Sequence, residues 1–207
     1  MPPKPSYNAK RLILFDIDGT LLRTGGAGAL AFNQVFAELY GIEGAWQDVL
    51  PDGKTDPMLI EELFLRHHGR KPTHAEEKAV EKRYIEAMHP ALAAANNFRL
   101  MPGVPELLAA IKERSLGFLG IATGNYESTA MLKLEKAGLK DYFAFGGYGS
   151  HSRVRRELTR RAFDEGLKLV AKRIDGDDVI VVGDTIHDVD CGKHIGAITV
   201  AVATGST

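Results

Sequence analysis

Short apolar runs that end at turn residues recur along this chain, and segments with helical periodicity separate them. The first run occupies residues 12–15 and is followed at once by Asp16 and Asp18. Similar runs predict buried strands at residues 117–122, 179–182 and 198–202, with a weaker strand at 142–145. Continuously apolar strands are typical of a parallel sheet that is covered on both faces.

The segments between the later strands repeat apolar residues at three- and four-residue steps, which predicts amphipathic helices. These helices are predicted at residues 104–114, 128–137 and 157–172. Strands that alternate with helices imply an α/β fold, in which helices wrap a Rossmann-like parallel sheet core through right-handed crossovers.

The segment after the first strand differs, because it shows helical patterns and no convincing strand. Helices are predicted to begin near residues 29, 55 and 73. Thr73 and Glu76 form a potential capping box at the third helix. The glycine-rich residues 25–28 lack the spacing of a phosphate-binding loop, so a hinge is the better interpretation. We therefore expect an inserted all-helical cap domain.

These patterns divide the chain into three parts. The predicted parts are a flexible N-terminal tail at residues 1–10, an α/β catalytic core at 11–24 and 98–207, and a helical cap at 25–97.

Charge and composition limit the classes of binding partner and the cellular compartment that we expect. The 207 residues include 26 Lys and Arg against 27 Asp and Glu, a formal net charge of −1 that gives no support for a nucleic-acid or anionic-membrane partner. No apolar stretch approaches the roughly 20 residues that span a bilayer. Cys191 is the only cysteine, which excludes an intramolecular disulfide and is compatible with a reducing compartment. We expect a cytoplasmic protein, and the sequence leaves the oligomeric state open.

Polar residues that can carry chemistry follow three of the predicted strands. Asp16 and Asp18 follow the first strand, residues 123–125 follow the second, and Asp184 and Asp188 follow the strand at 179–182. The carboxyl ends of parallel strands share one edge of the sheet, where α/β proteins bind their ligands. Carboxylates crowded there repel one another unless a cation lies among them, and all-oxygen ligands favour a hard ion such as Mg²⁺. The sequence therefore predicts a magnesium site at this edge.

Three motifs at these strand ends resemble those of the haloacid dehalogenase superfamily. They are DxDGT at residues 16–20, a threonine after a buried strand at Thr123, and GDxxxD at residues 183–188. The resemblance extends from Arg11 to about Val202, and the phosphoglycolate-phosphatase-like branch with a helical C1-type cap is the most similar. It implies a phosphoric monoester hydrolase that works through an aspartyl-phosphate intermediate, with Mg²⁺ as cofactor.

The same resemblance implies a role for each motif residue. Asp16 is the expected nucleophile, and Asp18 is expected to protonate the leaving alkoxide and then to activate water. Thr123 donates its hydroxyl to the transferring phosphoryl group, and the backbone around Gly124 and Asn125 adds a donor that binds substrate.

The resemblance also implies the metal ligands. Asp16, the main-chain carbonyl of Asp18, and Asp184 are expected to hold Mg²⁺. Asp188 is expected to support the metal or its waters.

The chain departs from the superfamily at a fourth element, a lysine that usually precedes the helix after the third strand. Residues 146–152 contain no lysine, and Arg153, Arg155 and Arg156 follow. An arginine is always charged and grips phosphoryl oxygens bidentately. We expect Arg155 to screen the charge of Asp16, with Arg153 and Arg156 as the alternatives.

Two further residues are candidates beside the motifs. Lys54 lies in a predicted turn between two cap helices and is expected to reach the phosphate when the cap closes, although a surface lysine is equally compatible. His187 falls inside the GDxxxD motif, where packing is favoured over proton transfer.

The expected function is hydrolysis of small phosphate monoesters such as phosphoglycolate or sugar phosphates, with a small phosphorylated metabolite as partner. A phosphomutase of the β-phosphoglucomutase type shares the core residues and is one alternative. A non-catalytic binding or regulatory protein on the same fold is the other. The dehalogenase branch is disfavoured because its chemistry has no use for Asp18.

Overall fold

The computed structural model describes residues 11–170 and 174–205, so the tail predicted at residues 1–10 lies outside the described residues. The helices and strands follow in the order β1 (Leu12–Phe15), β2 (Leu22–Arg23), α1 (Ala27–Tyr40), α2 (Asp56–His68), α3 (His74–Ala94), β3 (Arg99–Leu100), α4 (Val104–Glu113), β4 (Phe118–Ala122), α5 (Glu127–Lys136), β5 (Phe145–Gly147), α6 (Arg155–Leu167), β6 (Val179–Gly183), α7 (Ile186–His194) and β7 (Ile198–Ala201).

A parallel sheet in the order β5-β4-β1-β6-β7 forms the core. β1 pairs with β4 on one side and with β6 on the other, so Phe15 lies opposite both Ile121 and Val182. This register brings the carboxyl ends of the three strands to one level. The predicted Rossmann-like parallel sheet is confirmed.

Helices cover both faces of the sheet, which explains why every residue of β1 is buried. Side chains alternate between the two faces along a strand. Ile13 and Phe15 pack in one cluster with Leu108 of α4, whereas Leu14 packs on the opposite face with Ala162 of α6. The continuously apolar sequence of β1 is therefore the consequence of two buried faces.

The helical insertion consists of α1, α2 and α3, which share a hydrophobic core of their own. The ring of Phe32 stacks on that of Tyr84 at a centroid distance of 4.0 Å and on that of Trp46 at 5.1 Å. The capping box of Thr73 and Glu76 is confirmed at the start of α3. We refer to this insertion as the cap.

The cap is joined to the core through β2 and β3, which pair antiparallel and place Leu22 opposite Leu100 and Arg23 opposite Arg99. The sequence does not predict this ribbon, because strands of two residues are too short to show a periodicity. The ribbon lies beside the glycine-rich residues 25–28, which are the predicted hinge.

The prediction of a strand at residues 142–145 is wrong in the position of that strand. The strand is Phe145–Gly147, and Lys140–Tyr142 form a turn of 3₁₀ helix. Glycine is a poor strand former, so the Gly146-Gly147 pair concealed the strand. Gly147 is required there, because an added Cβ would overlap the carbonyl group of Leu158 in α6.

The helix predicted at residues 157–172 is also displaced. It begins at Arg155, after Val154 in an extended conformation, and ends at Leu167. Gly166 in its last turn disfavours continuation. Residues 171–172 of the predicted helix lie outside the described residues.

The other predicted strands and helices of the core agree with the structure to within one residue at each end. Among the described residues, no helix combines the length and the apolar character needed to cross a bilayer.

Candidate active site

The polar residues at the strand ends meet in one cavity of about 430 Å³ between the core and the cap. The backbone N–H of Asp16 donates to the carbonyl of Val182 at 3.0 Å, and that of Thr123 donates to the carbonyl of Gly147 at 3.0 Å. These bonds extend the sheet pairing to the first residue beyond β1 and β4. The predicted site residues that line the cavity are Asp16, Asp18, Lys54, Thr123, Gly124, Asn125, Arg155 and Asp184.

The turn after β1 requires glycine at position 19. Gly19 has a φ of +84°, and an added Cβ would overlap the carboxylate of Asp184. The hydroxyl of the next residue, Thr20, donates to Oδ1 of Asp184 at 3.1 Å. The Gly-Thr pair thus holds the β1 turn against the end of β6.

Asp16, Asp184 and Asp188 form an acidic cluster in which one carboxylate oxygen of each lies within 4.8 Å of the others. Burial raises the pKa of Asp16 well above its usual range, and the charge of Asp188 raises it further. Burial also raises the pKa of Asp184, although its hydrogen bond from Thr20 opposes the shift. A cation among these groups would favour their ionised forms.

Asp188 is buried, and both of its carboxylate oxygens accept hydrogen bonds. Oδ2 accepts from the backbone N–H of Thr185 at 3.1 Å and from its hydroxyl at 2.7 Å, which forms a capping box at the start of α7. Oδ1 accepts from the guanidinium of Arg155. Asp188 therefore holds Arg155 beside the acidic cluster, and Asp16 and Asp184 are the two members of the cluster that line the cavity.

Arg155 is the arginine that enters the site. It is the first residue of α6, its side chain is 11% exposed, and Nη2 lies 3.6 Å from Oδ1 of Asp16. Burial acts to lower the pKa of Arg155, but the charges of Asp16 and Asp188 outweigh burial and raise it. The guanidinium is therefore a fixed positive charge beside the expected nucleophile.

The two alternative arginines have other positions. Arg153 forms ion pairs with two cap carboxylates, Glu61 at 3.0 Å and Glu77 at 2.6 Å. Arg156 is exposed to solvent. Arg153 thus connects the core to the cap, and only Arg155 of the three contacts the acidic cluster.

Lys133 is a site residue that sequence analysis missed. It lies on α5 with 4% of its side chain exposed, and Nζ lies 2.6 Å from Oδ2 of Asp18 and 2.6 Å from Oδ1 of Asn125. Ala130 and Leu134 of the same helix are buried. A lysine within the apolar face of a helix was the signal in the sequence.

The side chain of Asn125 takes part in the polar network, and the backbone donor expected around Gly124 and Asn125 stays a prediction. The side-chain amide of Asn125 donates to Oδ2 of Asp18 at 2.7 Å and to the hydroxyl oxygen of Thr123 at 2.8 Å. Oδ2 of Asp18 therefore receives hydrogen bonds from both Asn125 and Lys133. These bonds hold the Asp18 carboxylate beside Thr123.

Lys54 lines the cavity, but its ammonium group is paired with Glu62 of α2. Its carbonyl lies so close to Gly124 that a Cβ there would overlap it. The ring of His187 lies so close to Gly53 of the cap that a Cβ at Gly53 would overlap it. Lys54 as a phosphate-binding residue stays a prediction.

Asp56, at the start of α2, connects the cap to the same polar network. Its Oδ2 accepts from the backbone N–H of Tyr126 at 2.8 Å and from the hydroxyl of Thr129 at 3.3 Å. Burial raises the pKa of Asp56 to about 6, although the charge of Lys133 opposes the shift. Asp56 is thus a buried acid in the contact between cap and core.

A helical cap that closes over carboxylates at the edge of a Rossmann-like sheet is the architecture of a class of hydrolases. Residues 10–196 match the model of the haloacid dehalogenase-like hydrolase family, and the chain belongs to this family.

Three known proteins illustrate the similarity. The chain is 34% identical to the phosphoglycolate phosphatase of Synechococcus elongatus over an alignment of 108 residues. This alignment covers 52% of this chain and 47% of the relative. The chain is also 27% identical to the pyrophosphatase PpaX of Listeria innocua over an alignment of 199 residues. That alignment covers 92% of this chain and 82% of the relative. The crystal structure of CbbY from Rhodobacter sphaeroides in complex with phosphate shares the fold, with a TM-score of 0.72, 22% identity, and coverage of 92% of this chain and 85% of the other.

Replacing Lys133 tests its contact with Asp18. We expect Lys133→Met to lower kcat/KM for phosphate monoesters by about tenfold or more, since positioned acid–base groups contribute about 10²–10⁴-fold. The loss should be larger for ethyl phosphate than for p-nitrophenyl phosphate, whose leaving group hardly needs a proton. Lys136→Met, an exposed change on the same helix, is the control. Equal losses for both substrates would show that Lys133 does not act through Asp18.

Asp56 should make the stability depend on pH. Because its pKa is about 6 in the folded chain against 3.8 for a free aspartate, its protonated form stabilises the fold below about pH 4, and this contribution is lost as pH rises to about 6. The loss amounts to about 1.4 kcal/mol per pH unit within this window. We therefore expect Asp56→Asn to gain stability relative to the parent protein between pH 4 and 7, because its amide stays neutral. Denaturant unfolding at pH 4 and at pH 7 measures the free energy of unfolding of both proteins. A difference between variant and parent that is the same at the two pH values would contradict the prediction.

Proposed function

We propose that this chain is a Mg²⁺-dependent phosphatase that hydrolyses small phosphate monoesters through an aspartyl-phosphate on Asp16. The observation that carries the proposal is the position of Asp16, which lies beside the acidic partners Asp184 and Asp188 and beside the guanidinium of Arg155. A buried carboxylate with a positive charge on one side is suited to attack an anionic phosphoryl group, because that charge screens their mutual repulsion.

The class of enzyme rests on the family. The chain is a phosphoric monoester hydrolase of the haloacid dehalogenase-like family, and two of the relatives described above are named as a phosphatase and a pyrophosphatase.

In the first proposed step, a carboxylate oxygen of Asp16 attacks phosphorus and the bond from phosphorus to the ester oxygen breaks. Asp18 donates a proton to the departing alkoxide. Thr123 donates its hydroxyl to the phosphoryl group, and Arg155 stabilises the charge on the phosphoryl oxygens.

In the second proposed step, water attacks the phosphorus of the aspartyl-phosphate, and Asp18 takes a proton from that water. The bond between phosphorus and Asp16 breaks, which releases phosphate and restores the carboxylate. Asn125 and Lys133 hold Asp18 in one position, so the same carboxylate serves both steps.

The donor set fits a hard divalent cation. Asp16 and Asp184 supply carboxylate oxygens, the main-chain carbonyl of Asp18 is the third protein ligand expected from the family, and Asp188 supports the site through Arg155 and α7. A bound Mg²⁺ neutralises the crowded carboxylates and the phosphoryl charge. The raised pKa values of Asp16 and Asp184 support this assignment, because each carboxyl needs a positive neighbour to ionise readily.

The dimensions and lining of the cavity favour a small substrate. The cap contributes Phe32, Trp46, Leu59 and Tyr84 to the lining of the cavity. The relatives named for phosphoglycolate and pyrophosphate suggest that the substrate carries an acidic group besides the transferred phosphate.

Phosphate release tests the proposed function most simply. Purified protein is assayed on a panel of small monoesters, with Mg²⁺ omitted and then restored. We expect release only with the metal, and no release by Asp16→Asn, because the amide cannot act as the nucleophile. Asp190→Asn, an exposed change on α7, is the matched control and should retain activity.

Other results of this assay would contradict the proposal. Turnover by folded Asp16→Asn would exclude Asp16 as the nucleophile. Isomerised sugar phosphate without free phosphate would identify a phosphomutase. A complete lack of activity over the panel would favour the binding or regulatory protein.

A further inference from the structure

We propose that Arg23 and Arg99 form a second anion-binding subsite in the same cavity, which selects leaving groups that carry a carboxylate or a second phosphate. This inference rests on the proposed function, since it concerns the part of the substrate that leaves. Both arginines line the cavity that contains Asp16.

The register of the β2–β3 ribbon brings the two arginines together. Arg23 and Arg99 are directly opposite each other in an antiparallel pair, so their side chains extend from the same face. Like charges in directly opposite positions destabilise a ribbon. An anion bound between them would remove this repulsion.

The other cations of the cavity are already paired with carboxylates. Lys54 pairs with Glu62, Lys133 with Asp18, and Arg155 with Asp188 and Asp16. Within residues 11–170 and 174–205, neither Arg23 nor Arg99 forms an ion pair. Among the described residues that line this cavity, Arg23 and Arg99 are therefore the cations whose charge no carboxylate of the protein neutralises.

Hydrogen bonds hold Arg23 beside the turn that follows β1. Its Nη2 donates to the carbonyl of Thr204, and the hydroxyl of Thr204 donates to the carbonyl of Gly19 at 2.6 Å. Nε of Arg23 is buried and has no hydrogen-bond partner in the described part of the chain. The guanidinium is thus fixed in position, yet the protein leaves part of its hydrogen-bonding capacity unused.

The remaining wall of the cavity explains why the anion would bind at the ribbon. The cap side chains that face it are mainly aromatic or aliphatic, and the buried cap acid Asp56 would repel an anion. A leaving group with a second negative charge is therefore directed toward Arg23 and Arg99.

The test compares affinities for ligand pairs that differ in the second anionic group. Calorimetry with the Asp16→Asn protein and Mg²⁺ gives Kd for phosphoglycolate against ethyl phosphate, and for glucose 1,6-bisphosphate against glucose 1-phosphate. In at least one pair, we expect the ligand that carries the second anionic group to bind about tenfold or more tightly than its partner. A charge-assisted hydrogen bond contributes about this much. Arg99→Gln in the same background should remove most of that preference, and Arg99→Lys should retain more of it.

Arg114→Gln, which removes an exposed arginine at the end of α4, is the control and should leave the preference unchanged. A preference in only the first pair identifies a carboxylate subsite, and one in only the second identifies a phosphate subsite. Equal affinities within both pairs, or a preference that survives Arg99→Gln, would overturn the subsite. Because binding is measured without turnover, this result is independent of the phosphate-release assay that tests the proposed function.

Discussion

The structure depends on the repulsion among carboxylates at the end of the central strand. Asp16 is buried beside Asp184 and Asp188, where an ionised carboxylate is costly unless positive charge lies near it. Arg155 supplies one such charge from the start of α6. We propose that a divalent cation supplies the other at the carboxylates of Asp16 and Asp184, which line the cavity. Because the carboxyl ends of β1, β4 and β6 lie at one edge of the parallel sheet, residues from separate segments of the chain are available there to meet this requirement.

The carboxylate of Asp18, in the same cavity as Asp16, is also matched by neighbouring hydrogen-bond donors. These donors are the buried ammonium group of Lys133 and the amide of Asn125. The cap is joined to this network through Asp56 and through the ion pairs of Arg153. The position of the cap and the contacts around Asp18 are thus connected by a buried acid and by partly exposed ion pairs, and not by apolar packing alone.

The motif residues were predictable from the sequence because each motif follows a short, continuously apolar run that indicates a buried strand without tertiary information. The sequence could not choose among the three arginines with certainty, because that choice depends on where α6 begins, and α6 begins two residues earlier than its periodicity indicated. The β2–β3 ribbon was missed because its strands have two residues each, and the contact of Lys133 with Asp18 joins positions 115 residues apart. Such pairings are set by the fold, and local patterns do not contain them.

The most direct test of this account is the effect of Mg²⁺ on thermal unfolding. If the cation binds between Asp16 and Asp184, saturating Mg²⁺ should raise the unfolding midpoint, since a ligand at about 100 times its Kd adds about 2.7 kcal/mol to the stability. Asp184→Asn should lose this shift, whereas Asp190→Asn, which changes an exposed acid of α7, should keep it. An unchanged midpoint in the parent protein, or an equal shift in Asp184→Asn, would contradict the account.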